Sequence, residues 1–188
     1  MIKEILQKAE ANNLNSLLIT FDPHPVEIFA PDKKNFLISP FKDKIYQLKK
    51  NGCQNIVVLK FDRDFSVLTA EDFLKKYILE YKNQISELVL GHDFSFGADR
   101  QGNFEFAKDY LSNYGINVTQ LKKFSDVDVS SSIIRNELNA GKVENVSNLL
   151  GRNFFIDGIV IKGEGRGKKI GIPTANINIS PRLSLIHI

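Results

Sequence analysis

Helix-like and strand-like apolar patterns alternate along the chain up to about Gly151, and this alternation restricts the possible folds more than any other feature. Apolar residues at helical spacing near the N-terminus are followed by a strand-like run at residues 17–21. The same succession of helix and strand recurs up to about residue 121. Such alternation predicts parallel βαβ units with helices on both faces of a sheet. The predicted fold class is therefore α/β.

The limits of the predicted elements follow from apolar periodicity and from residues that cap helices. Helices are predicted at residues 2–9, 41–48, 69–78 and 103–114, and strands at residues 17–21, 56–59, 88–90 and 116–121. The run at 56–59 is apolar throughout, which predicts a buried strand. After Ser130 the pattern turns helical with Gly141 as its stop, and from Phe154 it changes to strand. We therefore predict a domain boundary near residues 149–151, with domains at 1–148 and 149–182.

Composition limits the class of protein. No apolar run approaches the roughly 20 residues of a membrane span, and the N-terminus lacks the apolar core of a signal peptide. The single cysteine, Cys53, fits a reducing cytosol and is expected in the core. A net charge of +3 is too small to indicate nucleic-acid binding. We therefore predict a cytoplasmic protein that acts on small molecules and binds neither nucleic acid nor membrane.

The segment KGEGRGKKIGIPTAN at residues 162–176 combines glycines, cations and small oxygen donors. Its glycines allow the backbone to approach a ligand closely, and its lysines and arginine attract an anion. Thr174 and Asn176 offer oxygen atoms of the kind that Mg²⁺ accepts. The segment predicts a loop that holds the phosphates of a nucleotide and their magnesium. It matches neither a Walker motif nor G-x-G-x-x-G, and a flexible basic hairpin is the alternative interpretation.

A first loop whose side chains could take part in binding or catalysis follows the strand predicted at residues 17–21. Its sequence is Thr-Phe-Asp-Pro-His-Pro, and the two prolines around His24 predict a stiff loop that fixes the direction of the imidazole. Ligands of open α/β sheets bind beyond the carboxyl ends of strands, where this loop lies. The alternative interpretation is a rigid turn with a solvated histidine.

A second loop, LGHDFSFGADRQGN at residues 90–103, follows another predicted strand. Phe94 and Phe96 provide flat apolar faces, Asp93 a carboxylate and Arg100 a fork for a phosphate. This mixture predicts a planar aromatic ligand that carries a phosphate. The alternative interpretation is a long turn whose phenylalanines enter the core. His92, taken by itself, is predicted to have a structural role.

A third loop opens a helix with three serines, Ser130, Ser131 and Ser132, and Arg135 follows one turn later. Hydroxyl groups beside the unsatisfied N–H groups of a helix start suit an anion, and Arg135 can turn back toward the same anion. The alternative interpretation is plain helix capping.

In this order, the segments TFDPHP, GHDFSFGADRQGN, SSSIIR, LLGR and GEGRGKKIGIPTAN resemble one family closely. The chain resembles the bacterial bifunctional riboflavin kinase/FMN adenylyltransferase family, also called FAD synthetase, from about residue 1 to about residue 182. The resemblance implies a Rossmann-like nucleotidyltransferase domain, whose first strand is missing here, followed by the start of a riboflavin kinase β-barrel.

The resemblance also implies roles for individual residues. Flavin-binding residues would be Asp22, Pro23, His24, Pro25, Asp93, Phe94, Phe96, Gly97, Arg100 and Gly102. Catalytic residues would be Ser131, Ser132 and Arg135, and ATP contacts would come from Ser130, Gly163, Arg166, Gly167, Lys168, Gly171 and Pro173. Thr174 and Asn176 would bind Mg²⁺. The family usually has threonine where this chain has Ser132.

The activity that the resemblance implies is FAD synthesis in two ATP-dependent steps. A riboflavin hydroxyl takes the γ-phosphoryl group of one ATP to give FMN, and the FMN phosphate then attacks a second ATP to give FAD and pyrophosphate. ATP and Mg²⁺ are thus the implied cofactors, with riboflavin, FMN and FAD as substrates or products. A flavin-binding module without turnover and a nucleotidyltransferase with another acceptor are the alternatives.

The chain departs from the family at both ends. The family places a strand and a histidine-rich loop before the position of Met1, and a catalytic glutamate and most barrel strands after Asn176. We therefore expect a gap in the hydrogen-bond ladder of the sheet, no activity of this chain in either step, and marginal stability. Residues 183–188 do not continue the resemblance, and we expect them to be a non-native tail.

Overall fold

The computed structural model describes residues 2–34, 36–121, 129–163, 166–169, 171–180 and 183, without the side chains of residues 168 and 169. These residues belong to two compact units. The first contains the described residues of Met1–Phe29 and Lys49–Asp126, and the second those of Ala30–Leu48 and Val127–Ile188. Each unit is described by itself.

The elements alternate along most of the chain. In order they are α1 (Ile2–Ala11), β1 (Leu17–Asp22), α2 (Pro25–Phe29), α3 (Phe41–Lys50), β2 (Asn55–Lys60), α4 (Arg63–Ser66), α5 (Ala70–Tyr77), β3 (Glu87–Leu90), α6 (Phe104–Ser112), β4 (Asn117–Gln120), α7 (Ser131–Asn139), α8 (Val143–Leu150), β5 (Ile159–Ile161), α9 (Arg166–Lys169) and β6 (Asn176–Asn178). Short 3₁₀ turns lie at Leu79–Tyr81 and Ala98–Arg100. The helices and strands predicted up to residue 121 are all confirmed to within a few residues.

Capping residues explain where several helices begin and end. Thr69 Oγ1 accepts a hydrogen bond from the backbone N–H of Asp72 at the start of α5, and Asn103 caps α6 in the same way. Gly115 and Gly141 follow the ends of α6 and α7 with φ of +74° and +75°, in the left-handed region that glycine adopts without strain.

The strands of the first unit form two parallel pairs. β1 pairs with β2, with Leu17 opposite Asn55, and β3 pairs with β4, with Leu90 opposite Gln120. The parallel pairing predicted from the alternation is thus confirmed. Among the described strands no ladder joins the two pairs, so this unit contains two two-stranded sheets instead of one continuous sheet.

Two predictions about strands are wrong. The run at 56–59 is not buried, since Val57 and Val58 are 36% and 44% exposed while Leu59 packs against the core. Successive side chains of a strand point to opposite faces, so the exposure of both Val57 and Val58 means that neither face of β2 is fully covered among the described residues. The strand pattern from Phe154 also yields only the three residues of β5, because residues 153–158 make no ladder.

The core of the first unit lies between α5, α6 and strands β3 and β4. Its buried residues are Ala70, Phe73, Leu74, Ile78, Leu90, Phe96, Ala107, Leu111 and Ile116. Four phenylalanine rings run through this core, with centroids 5.4 Å apart for Phe21 and Phe65, 6.1 Å for Phe65 and Phe73, and 5.3 Å for Phe73 and Phe96. These rings connect the end of β1 with the loop that follows β3. Cys53 is 5% exposed, which confirms its predicted place in the interior.

Glu87 at the start of β3 ties three elements of the first unit together. Its carboxylate accepts hydrogen bonds from Lys8 Nζ on α1 and from Thr119 Oγ1 on β4. Burial favours the protonated acid, but the bonds from Lys8 and Thr119 outweigh it and lower the pKa of Glu87 below its usual value.

In the second unit, α7 and α8 pack on each other through Ile134, Leu138 and Val146. Asp43 of α3 is only 4% exposed, and its Oδ2 atom has no hydrogen-bond partner among the described residues. Burial, together with the nearby Asp157 carboxylate, raises the pKa of Asp43 against the opposing effect of Lys42 and Arg152. This unit thus contains a buried carboxyl group that its surroundings do not satisfy.

The remaining strands, β5 and β6, form an antiparallel ribbon in the second unit. Its apolar side chains are open to solvent, with Ile159 76%, Val160 65% and Ile177 52% exposed. Leu183 is buried and forms a bridge with Leu37, whereas the rest of the predicted tail, 184–188, lies outside the described residues. None of the described helices is both long enough and apolar enough to cross a membrane.

Candidate functional site

The first predicted loop follows β1 directly, and the backbone holds its histidine in place. The His24 N–H donates to Glu27 Oε1 at 2.9 Å, and the Val26 N–H donates to His24 Nδ1 at 3.2 Å. Because Nδ1 accepts this bond, the neutral imidazole carries its proton on Nε2. The bond from Val26 orients the ring, and the role of the two prolines and of His24 toward a ligand stays a prediction.

The second predicted loop closes on itself through a pair of backbone hydrogen bonds. The Phe96 N–H donates to the Gly102 carbonyl at 2.9 Å, and the Gly102 N–H donates back at 2.8 Å. Between them, Asp99 and Arg100 have φ of +51° and +59°, a conformation that costs a non-glycine residue about 1–2 kcal/mol. Arg100 Nε donates to Ser95 Oγ at 2.7 Å, so the guanidinium is directed back across its own loop.

Two glycines of the second loop are required because other groups lie against them. A Cβ atom on Gly97 would lie 2.5 Å from the backbone N of Ala70, and one on Gly102 would lie 2.6 Å from the Phe96 ring. Real Cβ atoms essentially never approach other atoms this closely. Both glycines therefore allow close packing within the protein, and their approach to a ligand stays a prediction.

A pocket of about 280 Å³ opens between this loop, the start of α6 and the end of β4. It is lined by His92, Asp93, Phe94, Ser95, Asn103, Phe104, Glu105 and Gln120. Gln120 enters the site because the register of β3 and β4 places it beside Leu90, directly before the loop. Its Nε2 group donates to the His92 carbonyl at 2.9 Å. None of Asp22, Pro23, His24 and Pro25 lines this pocket, so the first loop does not contribute to it.

The two phenylalanines of the second loop have different surroundings. Phe96 is 7% exposed and belongs to the core, as the alternative interpretation of this loop predicted. Phe94 is 38% exposed, lines the pocket and stacks on Phe96 with ring centroids 6.0 Å apart. Of these two phenylalanines, Phe94 is thus the one that can contact a ligand in the pocket.

Sequence analysis missed most of the polar pocket wall. Asn103 is the last residue of the predicted loop, and Phe104 and Glu105 directly follow it at the start of α6, so their position on the chain could have indicated them. Gln120 lies at the carboxyl end of a strand, which is where parallel sheets place ligands. If the last residues of the two predicted strands had been aligned with each other, Gln120 would have been placed beside the loop.

The third predicted segment begins α7 in the second unit. Ser130 Oγ accepts a hydrogen bond from the Ile133 N–H at 3.3 Å, so this serine caps the helix. Ser131 and Ser132 are exposed in the first turn. Arg135 is half-buried, its Nε group donates to the Phe36 carbonyl at 2.8 Å, and burial lowers its pKa. The helix start therefore combines exposed hydroxyl groups with an anchored cation.

The glycine-rich segment brings its glycines next to its predicted metal ligands. Gly163 lies against the side chain of Asn176, and Gly167 lies against the Ile172 carbonyl. A Cβ atom on Gly167 would also lie 3.2 Å from Thr174 Oγ1. Both glycines therefore allow close packing within the segment, with the Asn176 Nδ2 atom filling the space beside Gly163. The binding of Mg²⁺ by Thr174 and Asn176 stays a prediction.

Other predicted residues of this segment are less constrained. Arg166 is exposed at the start of α9, and Pro173 is exposed before β6. Gly171 has φ of +80°, and no described atom lies within 4 Å of the position where its Cβ atom would be. The side chain of Lys168 and residues 164, 165 and 170 lie outside the described residues.

Comparison with protein families identifies two matches along the chain. A family described as FAD synthetase matches residues 1–133, and one described as riboflavin kinase matches residues 150–186. The first match covers well over half of the chain.

Curated relatives and a solved structure resemble most of this chain. A bifunctional riboflavin kinase/FMN adenylyltransferase from Bacillus subtilis is 37% identical over 177 residues, which cover 93% of this chain and 55% of that protein. One of the same name from Escherichia coli K12 is 30% identical over 186 residues, which cover 98% of this chain and 59% of that protein. The chain thus spans less than two thirds of these relatives.

A crystal structure named as a macrolide-efflux protein from Streptococcus pneumoniae is also similar, with a TM-score of 0.79 at 29% identity. The similarity covers 98% of this chain and 60% of that one.

Proposed function

The chain belongs to the FAD synthetase family, and from that premise we propose that its protein converts riboflavin to FMN and FMN to FAD. The observation that carries the proposal is the order of the two family matches, with an adenylyltransferase region before a riboflavin kinase region. Each region contains a loop suited to its own step. The pocket beside Phe94 binds FMN for its conversion to FAD. The glycine-rich segment binds the ATP that phosphorylates riboflavin.

We propose a Rossmann-like nucleotidyltransferase fold for the first region and a β-barrel for the kinase region. The parallel pairs β1–β2 and β3–β4 support the former, because a further parallel strand bonded to β1 and β3 would join them into one sheet. The open apolar side chains of the β5–β6 ribbon support the latter, because barrel strands bury one face inward.

In the adenylyl transfer, the flavin ring lies on the open face of Phe94, with Asp93 and Gln120 as polar partners in the pocket. An oxygen of the FMN phosphate attacks the α-phosphorus of ATP, the bond from that phosphorus to the bridging oxygen breaks, and pyrophosphate leaves. The exposed N–H and hydroxyl groups of Ser131 and Ser132 and the cation of Arg135 stabilise the charge on the phosphates.

In the kinase step, the riboflavin hydroxyl attacks the γ-phosphorus of ATP and ADP leaves. The backbone of the glycine-rich segment approaches the phosphates, and its N–H groups donate to them. Thr174 and Asn176 would hold the magnesium ion. When bound, Mg²⁺ neutralises phosphate charge and fixes the geometry of transfer.

The proposal is tested by titrating FMN with this chain and following flavin fluorescence, which stacking on Phe94 should quench. Phe94→Leu should weaken binding, whereas Tyr81→Leu, which removes another exposed aromatic ring of the same unit, should leave it unchanged. Absence of FMN binding by the wild-type chain would contradict the proposed site.

A flavin-binding module without turnover is the second candidate, because all the described residues that line the Phe94 pocket belong to the first unit. The two candidates separate when the chain is incubated with FMN, ATP and Mg²⁺ and the products are resolved by chromatography. FAD formation rejects the binding module, and FMN binding without FAD formation favours it for this chain.

A further inference from the structure

We infer that Phe36 is a positioning residue for Arg135, and that it holds the guanidinium over the first turn of α7. The inference rests on the proposed adenylyl transfer, in which Arg135 acts on the phosphates of ATP. It concerns a residue outside all the motifs that indicated the family.

Phe36 contacts Arg135 in two ways. The Nε–H group of Arg135 donates to the Phe36 carbonyl at 2.8 Å, and the guanidinium carbon lies 4.2 Å from the centroid of the Phe36 ring. One edge of the guanidinium and one of its faces are therefore occupied by a single residue that is 99 positions away in sequence. Within the part of the chain that the structure describes, Nη1 and Nη2 donate to no protein acceptor, so both can serve an anion.

The position of Arg135 on α7 makes this geometry useful. Arg135 lies four residues after Ser131, on the same face of the helix, and helical side chains point toward the preceding turn. The guanidinium is thus held near the exposed start of the helix, where the N–H groups already favour an anion. Without the ring, this long side chain would sample several rotamers before it met the phosphate.

The burial of Arg135 explains why its guanidinium needs the contacts with Phe36. Arg135 is half-buried, and taking a cation out of water is unfavourable unless polar or aromatic groups compensate. The carbonyl and ring of Phe36 supply both kinds of compensation. Elsewhere in this unit, Arg152 lies 5.4 Å from the Phe155 ring, but it belongs to no proposed site and makes a useful comparison.

The experiment measures the affinity of the chain for ATP with Mg²⁺ by calorimetry in four variants. Arg135→Met defines the part of the affinity that depends on Arg135. Phe36→Leu removes the ring but keeps the backbone carbonyl, and it should weaken binding by about 3- to 10-fold. Phe36→Tyr keeps the ring and should bind as the wild type does. Phe155→Leu should have no effect on ATP affinity.

A double variant separates positioning from folding. In the Arg135→Met background, Phe36→Leu should cause no further loss, because the ring then has no guanidinium to hold. Equal losses with and without Arg135 would overturn the inference and leave a merely structural role for Phe36. Full affinity of Phe36→Leu beside a weakened Arg135→Met would also overturn it, while the proposed function would stand. Unchanged affinity of Arg135→Met would reject the proposed role of α7 together with the inference.

Discussion

Gln120 Nε2 donates a hydrogen bond to the carbonyl oxygen of His92 at 2.9 Å, and this bond joins the end of β4 to the loop that follows β3. The loop carries Phe94, whose open face forms one wall of the pocket. A single side chain from the neighbouring strand thus helps to keep the aromatic face in place.

Gln120→Glu removes the donor while keeping the size of the side chain, and it should weaken FMN binding by about 3- to 10-fold. Fluorescence titration of the chain with FMN measures this. Asn117→Asp makes the same chemical change at the other end of β4 and should leave the affinity unchanged. Equal affinities of all three proteins would show that the bond to His92 does not affect the site.

Gly97→Ala should destabilise the first unit by about 2–4 kcal/mol, because it combines a positive φ with a clash against Ala70. Gly115→Ala is the matched control: its φ is +74°, but nothing lies within 4 Å of the added Cβ atom. That variant should lose only about 1 kcal/mol. Urea unfolding measures both, and equal losses would mean that the backbone at Gly97 moves away from α5 without penalty.

Glu87→Gln should lower the free energy of unfolding at pH 7 by about 1 kcal/mol, since it weakens the bonds from Lys8 and Thr119. The folded pKa of Glu87 lies below the usual value of 4.5, so the stabilisation is present above that value and is lost as pH falls through the folded pKa. The difference between wild type and variant should therefore shrink in acid.

Glu71→Gln provides the control for Glu87, because its partner Lys75 lies 2.7 Å away but both side chains are about half exposed. At pH 7 its free energy of unfolding should stay close to that of the wild type, because water screens an exposed ion pair. A pH-independent difference between wild type and Glu87→Gln would exclude the ionised carboxylate as the source of stability.

Asp43→Asn should stabilise the second unit at pH 7 by about 1 kcal/mol, because it replaces a buried carboxylate whose Oδ2 atom has no partner. The folded pKa of Asp43 is raised, so the ionised group destabilises the fold above the usual value of 3.8, and this penalty disappears as pH falls. The advantage of the variant should thus vanish in acid, whereas Asp32→Asn on the surface should show none. A less stable Asp43→Asn at pH 7 would mean that the carboxylate is needed.

Local sequence patterns predicted the helices and strands, but not which of their side chains are buried. Apolar periodicity and the caps at Thr69 and Asn103 located the helices, because these signals act within a few residues. The exposure of Val57 could not be predicted, since it depends on which elements pack on the faces of β2. Sequence likewise could not show which of Phe94 and Phe96 enters the core, because both fit the same turn. That choice is made by packing against α5.

The chain of phenylalanine rings from Phe21 to Phe96 has a consequence for anyone who wishes to redesign this protein. Phe65 contacts the ring at the end of β1 and, through Phe73, the ring under the second loop. Close-packed interiors transmit changes of volume to their neighbours. A library that varies one loop to accept a new ligand will therefore shift the other, so Phe65 and Phe73 should be varied together with either.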